Sequence, residues 1–365
     1  MQIAMERLER LQQENQQLHE RVSANEQSIN RLQDELRGTR GQVDQVHRRQ
    51  IAESSKADIR FWTQYRKTDE TDLQAKQRFF LDMPKAEGNL GLLHRALTKM
   101  LEDFAMICND HAIKHYWMVG GTLLGSVRHH GFIPWDDDLD LGIMREDLNR
   151  LIPIVAADKR YVITVVWDRI VHCRQVRFAP RDSRIPGFID LFIFDWCSAI
   201  DGETFDCMQR TRQRTIKQAE SDPQIRAAWD ENVYVRNETD AGQAIAKIFD
   251  ANFEFMRSSG LICPHVRAKG IIRAFDNMDH PSGFRWISAV SEIFPLSQLV
   301  FEEREYPVPA NYQYLLSGAY GDIFALPNDI GLHFEHVDPR RLAQVDADIV
   351  QEYVRGNFPM PKDVA

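Results

Sequence analysis

Residues 4–50 place apolar side chains at alternating spacings of three and four, and a 3.5-residue seam of that length leaves a chain few ways to fold. With Leu8 at heptad position a, the a series runs Leu8, Asn15, Val22, Ile29, Leu36, Val43 and Gln50. The d series runs Leu11, Leu18, Asn25, Leu32, Thr39 and Val46. The segment has little else to build a core with. Residues 1–60 contain no Pro, Cys, Phe, Trp or Tyr, and their ten basic residues balance ten acidic ones. A lone helix would leave the seam in water along its whole length, so the pattern predicts a coiled-coil arm over residues 1–60. β-Branched residues at several a positions, Leu at several d positions and Asn15 at a favour a parallel homodimer, with a trimer as runner-up. Gly38 and Gly41 weaken the helix near its end.

All 20 Phe, 7 Trp and 9 Tyr lie beyond Arg60, and so does the whole formal charge of −9. That part of the chain can bury a core. Its acidity argues against nucleic-acid binding, which needs a basic excess. The five cysteines are widely spaced with no C-x-x-C pair, which suggests neither a zinc ribbon nor a disulfide framework. Reduced, mostly buried thiols in the cytoplasm are the expectation. The first residues carry no apolar leader core, and no run approaches the ~18 apolar residues of a spanning helix, so neither a signal peptide nor a membrane span is expected.

A connecting helix is expected over 61–83, closed by Pro84 and Gly88, which makes 61–88 a linker. Leu90, Leu93, Leu97, Met100, Leu101, Phe104 and Ile107 then form a helical stripe whose spacing marks it as core. From His115 the pattern turns to short runs with β-branched residues, read as strands at 116–119, 139–143, 161–167, 171–178 and 188–196. Residues 203–221 and 242–259 read as helices, and 292–308 as a strand pair with turns at Pro295 and Pro307. The fold class predicted is α+β, a mixed sheet flanked by helices. The catalytic domain is expected to span 89–340, with a C-terminal helix and tail at 341–365.

The chemistry concentrates between Val119 and Gly142. A strand runs into Gly120-Gly121, where missing side chains let backbone N–H groups approach an anion. Gly125-Ser126 on the following short helix and the fork of Arg128 are candidate donors to phosphate oxygens. Asp138-Leu139-Asp140, read as strand, sends two carboxylates to one face. Such a pair is costly to bury unless a cation sits between its members. Oxygen ligands beside phosphates suit Mg2+ or Mn2+. Asp190, in the apolar run 188–194, is the best candidate for a third carboxylate on a neighbouring strand. Asp136 and Asp137 are outer-shell ligands or turn residues after Pro134. Trp135 stacks on a ligand or packs the turn.

The contiguous run from Gly120 to Gly142 resembles the signature of the LicD/fukutin family of phosphotransferases, and the Gly-Gly…Gly-Ser…Asp-x-Asp pattern with a distant Asp is similar to the polymerase-beta type of nucleotidyltransferase fold. Residues 189–192, the segment 294–296 and Tyr320-Gly321-Asp322…Pro327…His333…His336 are also like that family. The resemblance covers roughly 89–337. It implies transfer of a phospho-alcohol, phosphocholine or a polyol phosphate, from a CDP-activated donor to a hydroxyl of a cell-surface glycan precursor, with CMP released. It implies Asp138, Asp140 and Asp190 as metal and catalytic residues, and Gly120, Gly121, Gly125, Ser126, Arg128 and Trp135 as donor-binding residues.

Rival readings are nucleotidyl transfer, metal-dependent sugar transfer, and an inactive head on a coiled-coil scaffold. His129-His130 read as solvent-exposed or structural, and His333 and His336 near Glu335 do not amount to a zinc site. Arg210, Arg212, Arg214 and Lys217 read first as a solvated helix face, and second as a contact for an anionic membrane or polymeric acceptor.

Overall fold

The computed structural model describes residues 2–278, 287–326 and 337–358. The readings placed on the side chains of Leu8, Leu11 and Leu18, and on Pro327, His333, Glu335 and His336, fall outside that description. The chain divides after Ala75 into two units.

The first unit is dominated by α1 (Gln2–Tyr65), 64 residues long. It runs unbroken through Gly38 and Gly41, where an added Cβ would meet nothing. The described seam residues between Val22 and Val46 are exposed in the single chain. The helix expected over 61–83 is in fact two. After Tyr65 the backbone breaks, and α2 (Asp72–Leu81) starts afresh. The cause is local. Thr71 Oγ1 accepts the Gln74 N–H at 3.2 Å, and Gln74 Oε1 accepts the Thr71 N–H at 2.9 Å, a reciprocal capping box that opens a new helix.

The second unit takes in the end of α2 and then α3 (Gly88–Asp110), β1 (Tyr116–Met118), α4 (Gly120–Arg128), β2 (Asp140–Met144), α5 (Arg145–Ala157), β3 (Tyr161–Asp168), β4 (Cys173–Pro180) and β5 (Ile189–Cys197). It continues with α6 (Gly202–Ser221), α7 (Pro223–Glu231), β6 (Tyr234–Arg236), α8 (Asp240–Ser258), β7 (Gly270–Arg273), β8 (Ile287–Ala289) and α9 (Val290–Ile293). It closes with β9 (Ser297–Phe301), β10 (Arg304–Val308), α10 (Tyr312–Tyr320), α11 (Pro339–Leu342) and α12 (Ala347–Val354).

The main sheet runs β1-β2-β5-β4-β3-β6, with β7 also on β5 and β8 on β7. Among the described residues, β2 and β5 pair in parallel and the other pairs of this sheet are antiparallel. The sheet is therefore mixed and flanked by helices, as the strand and helix periodicities imply. One core cluster packs α3 against it: Leu93, Ala96, Leu97, Met100, Leu101 and Phe104 are fully buried. Truncating Phe104 to Ala would cost about 3–5 kcal/mol. A second cluster joins α6, α7 and α8 through Met208, Ile225, Trp229, Ile245 and Phe249.

A helix does stand in the C-terminal stretch: Tyr353 of α12 is fully buried, its hydroxyl 2.8 Å from that of Tyr161, which donates to Asp103 Oδ2 at 2.6 Å. One segment differs from expectation. Pro307 lies inside β10 rather than at a turn. It pairs with Gln298 in a two-stranded ribbon whose outer edge needs no N–H. Among the described residues, no helix is long and apolar enough to cross a membrane.

Candidate active site

Val119 leaves β1 extended, and Gly120 opens α4 at φ +56°, a left-handed conformation that L side chains rarely adopt. Space forbids a side chain as well: a Cβ on Gly120 would lie 2.6 Å from Asp140 Oδ2, and one on Gly121 would lie 2.6 Å from Asp136 Oδ2. The two glycines thus make room for two carboxylates at the start of α4. Thr122 Oγ1 accepts the Asp140 N–H at 2.8 Å and fixes the beginning of β2 against that helix.

Asp140 and Asp190 are direct register partners on the parallel strands β2 and β5. Registered residues of neighbouring strands share a face, so a second carboxylate stands beside the first. On its other side Asp190 is in register with Arg177 of β4, whose Nε donates to Asp190 Oδ1 at 3.2 Å. The same guanidinium donates to Gln175 Oε1 at 2.7 Å and sits 4.0 Å from the Phe188 ring centroid. Asp138 departs from the strand reading. β2 begins at Asp140, and Asp138 lies in the loop before it, so two-residue alternation does not set its direction. Tyr320, at the end of α10, lies within electrostatic reach of Asp138. Burial raises the pKa of that hydroxyl, and the charges of Asp140, Asp136 and Asp138 raise it further, while Arg128 opposes them.

The other candidates hold this corner together. His94 Nε2–H donates to the Asp136 carbonyl at 2.7 Å, and its ring stacks on Phe132 at 4.2 Å. Burial lowers its pKa, which keeps the imidazole neutral. Asp137 Oδ2 accepts the Val337 N–H at 2.9 Å, tying the loop to the C-terminal segment. Ser126 is buried and its hydroxyl donates to the Val300 carbonyl at 2.8 Å. Gly125 backs onto the Gly131 carbonyl, which a Cβ would meet at 2.4 Å. Arg128, also buried, donates to the Ile323 carbonyl at 3.3 Å and lies 4.6 Å from the Phe80 ring centroid. Trp135 is partly buried against the core.

The structure therefore collects Gly120, Gly121, Asp136, Asp138, Asp140 and Asp190, and adds Arg177 and Tyr320. Gly125, Ser126, Arg128 and Trp135 make packing and tying contacts around them. Among the described residues no group of three His, Cys, Asp or Glu side chains is placed to hold a metal ion. The donors present are carboxylate oxygens, the chemistry that suits a hard divalent cation. Arg177 escaped the sequence reading because nothing in the run 171–178, taken only as a strand, sets it apart from Arg174. Tyr320 was noted only within a longer segment.

At their far ends β2 and β5 carry a different cluster. Arg145, opening α5, donates from Nε and Nη2 to both oxygens of Asp195 at 2.7 and 2.9 Å. From Nη2 and Nη1 it donates to both oxygens of Asp276 at 2.7 and 3.2 Å. Burial raises the Asp276 pKa, but Arg145 and Arg174 together overcome it and hold the group down to about 2. The basic helix α6 also resolves. Arg210, Arg214 and Lys217 are exposed, whereas Arg212 is buried and donates to the carbonyls of Val171 and Met278.

Residues 114–228 match the family model for the LicD/FKTN/FKRP nucleotidyltransferase domain. The lipopolysaccharide cholinephosphotransferase LicD of Haemophilus influenzae is 32% identical over 108 residues, 26% of this chain and 40% of that protein. An uncharacterized protein of Rickettsia prowazekii is 43% identical over 74 residues, 20% of this chain and 27% of that protein. The ribitol 5-phosphate transferase FKRP of Homo sapiens is 42% identical over 59 residues, 15% of this chain and 12% of that protein. The chain thus spans well under half of each of these relatives. The glycine turn, Asp138, Asp140, Arg177 and Asp190 all lie inside the span that matches the LicD/FKTN/FKRP family model.

Proposed function

We propose that this protein is a metal-dependent phosphotransferase moving phosphocholine or a polyol phosphate from a CDP-activated donor to a hydroxyl of a cell-surface glycan precursor. The observation that carries the reading is the register pairing of Asp140 with Asp190 beside the Gly120-Gly121 turn, within the span that matches the family. The relatives' names supply the substrate classes: one is a cholinephosphotransferase of lipopolysaccharide, another a transferase of ribitol 5-phosphate.

Asp138, Asp140 and Asp190 are the carboxylates that would hold Mg2+ or Mn2+. Bound there, the ion would polarise phosphoryl oxygens and neutralise charge on the leaving phosphate. The acceptor oxygen attacks the phosphorus that carries the alcohol, and the bond from that phosphorus to the bridging oxygen of the diphosphate breaks. CMP departs with the bonding pair. Asp190 takes the proton of the acceptor hydroxyl. Arg177, already beside Asp190, offers its fork to the transferred phosphoryl group. Backbone N–H groups at the start of α4 face the donor phosphates, and His94 holds the Asp136 loop in place.

The reading includes a homodimer formed through α1 and action in the cytoplasm, against the inner face of a membrane. Five widely spaced cysteines without a C-x-x-C pair, four of them buried, support a reducing compartment. The test is product analysis with the full chain, Mg2+, a glycan acceptor and CDP-choline or a CDP-polyol. CMP and a phospho-alcohol-bearing glycan are expected. Pyrophosphate from a nucleoside triphosphate would instead mark nucleotidyl transfer, a glycosylated product sugar transfer, and no Mg2+ binding at millimolar concentration an inactive scaffold.

A further inference from the structure

α1 runs as one helix of 64 residues, and its described seam side chains Val22, Ile29, Leu32, Leu36, Val43 and Val46 are 52–70% exposed. We infer that this seam is covered by a second copy of the chain lying parallel and in register, and that the charged residues flanking the seam select that orientation. The inference rests on the self-association proposed above, for which the heptad residues favour a parallel pair, and adds the in-register alignment and the charge pairs that select it.

With Leu8 at a, Arg21 and Glu35 fall at g, and Glu26 and Arg40 at e. In a parallel, in-register pair each g residue lies beside the e residue five positions further along the other chain. Arg21 then meets the partner's Glu26, and Glu35 meets the partner's Arg40. Each contact occurs twice by symmetry, and no like charges meet. The antiparallel alternative with the same overlap sets Leu8 opposite the partner's Val46, and brings g beside g and e beside e. It keeps one attraction, Arg21 with the partner's Glu35. Against that it sets Arg7 beside the partner's Arg49 and Glu26 beside the partner's Glu26. It also places the polar Asn25 opposite the partner's Ile29, whereas the parallel pair matches Asn15 with Asn15 and Asn25 with Asn25.

The weak points of the repeat fit the same arrangement. Gly38 and Gly41 fall at the outward positions c and f, where a Cβ would touch nothing, so they cost helix propensity without opening the seam. Thr39, at d, donates its hydroxyl to the Glu35 carbonyl at 2.9 Å and enters the seam with that donor satisfied. Leu at d with β-branched residues at a selects two strands over three. A parallel pair brings the two copies of Tyr65 to one end.

Disulfide trapping and sedimentation of the full chain test the orientation. Val22→Cys alone is expected to cross-link into a covalent dimer under mild oxidation, as is Val43→Cys; wild type, whose Cys207 is only partly buried, gives the background. Glu35→Arg should weaken the dimer on the order of tenfold by setting like charges against Arg40, and adding Arg40→Glu should restore it. Circular dichroism confirms that the helix survives in each variant, and the cysteine variants leave the charges untouched. A monomer at every concentration would overturn the self-association itself. Cross-linking only when Val22→Cys is mixed with Leu32→Cys, or no rescue by Arg40→Glu, would overturn the orientation, and a mass of three chains the stoichiometry. None of these readouts uses catalysis, so their failure is distinct from failure of the proposed reaction.

Discussion

The parallel strands β2 and β5 carry acidic clusters at both ends, and the two ends treat their carboxylates in opposite ways. At the far end, Asp195 and Asp276 are almost completely buried and share one guanidinium that meets all four of their oxygens. At the near end, Asp140 stands beside Asp190, which Arg177 meets with one hydrogen bond, and the charges of Asp136, Asp138 and Asp140 all reach Tyr320. The backbone there has given up side chains at Gly120 and Gly121 to admit two of them. A cluster neutralised by its own chain is a structural device. The near-end cluster gathers more carboxylates around a glycine turn, with Arg177 on Asp190, and a bound cation there is part of the proposed function.

The largest effect should come from the far end. Arg145→Met would strand two buried carboxylates and destabilise the fold by about 3–5 kcal/mol in urea titration, while turnover measured well below the new midpoint stays within a few-fold of wild type. A midpoint unchanged by this substitution would break the contrast. At the near end the balance of the two effects reverses. Asp140→Asn or Asp190→Asn should lower turnover by about a hundredfold or more while changing the thermal midpoint far less than Arg145→Met does, with Asp190→Asn the more costly of the two because it also gives up the Arg177 ion pair. Arg177→Lys keeps the charge and loses the fork. It should cost on the order of tenfold in kcat/KM with little change in stability.

The smallest effect is in pH. His129 is pushed down to about 3, by burial first and by Arg128 second, while an unfolded histidine titrates near 6.5. The unfolded chain therefore binds the extra proton first. The stability this group contributes is complete above pH ~6.5 and is lost progressively as pH falls toward 3. Asp276, held at about 2 against an unfolded value near 3.9, adds a second loss below pH ~4. A stability profile flat from pH 7 to 5 would contradict the first assignment, and His129→Phe should flatten that window in part.

Much of this was legible in the sequence because it is local. The five strands from Tyr116 to Cys197 announce themselves as short apolar runs, most plainly the β-branched β3, and the Gly-Gly and Asp-x-Asp elements lie within one contiguous run. Asp190 stood out because a lone carboxylate in an apolar strand needs a reason. What stayed hidden depends on partners far along the chain. Ser126 finds the Val300 carbonyl and Arg145 finds Asp276, contacts that no spacing rule encodes. α5 was missed because Pro153 interrupts its pattern, and β7 because four buried residues carry no period. Asp138 was misread for the opposite reason. An alternating run invites a strand, but the strand starts two residues later, where Thr122 takes the Asp140 N–H.

The most direct test of the near-end assignment is CMP release from CDP-choline and a CDP-polyol as Mg2+ is titrated, compared among wild type, Asp140→Asn and Asp190→Asn with folding checked by circular dichroism. The account predicts release that rises with Mg2+ in wild type and is lost in both variants. Release at the wild-type rate in either variant, or a wild-type rate indifferent to Mg2+ and its removal by chelator, would contradict it.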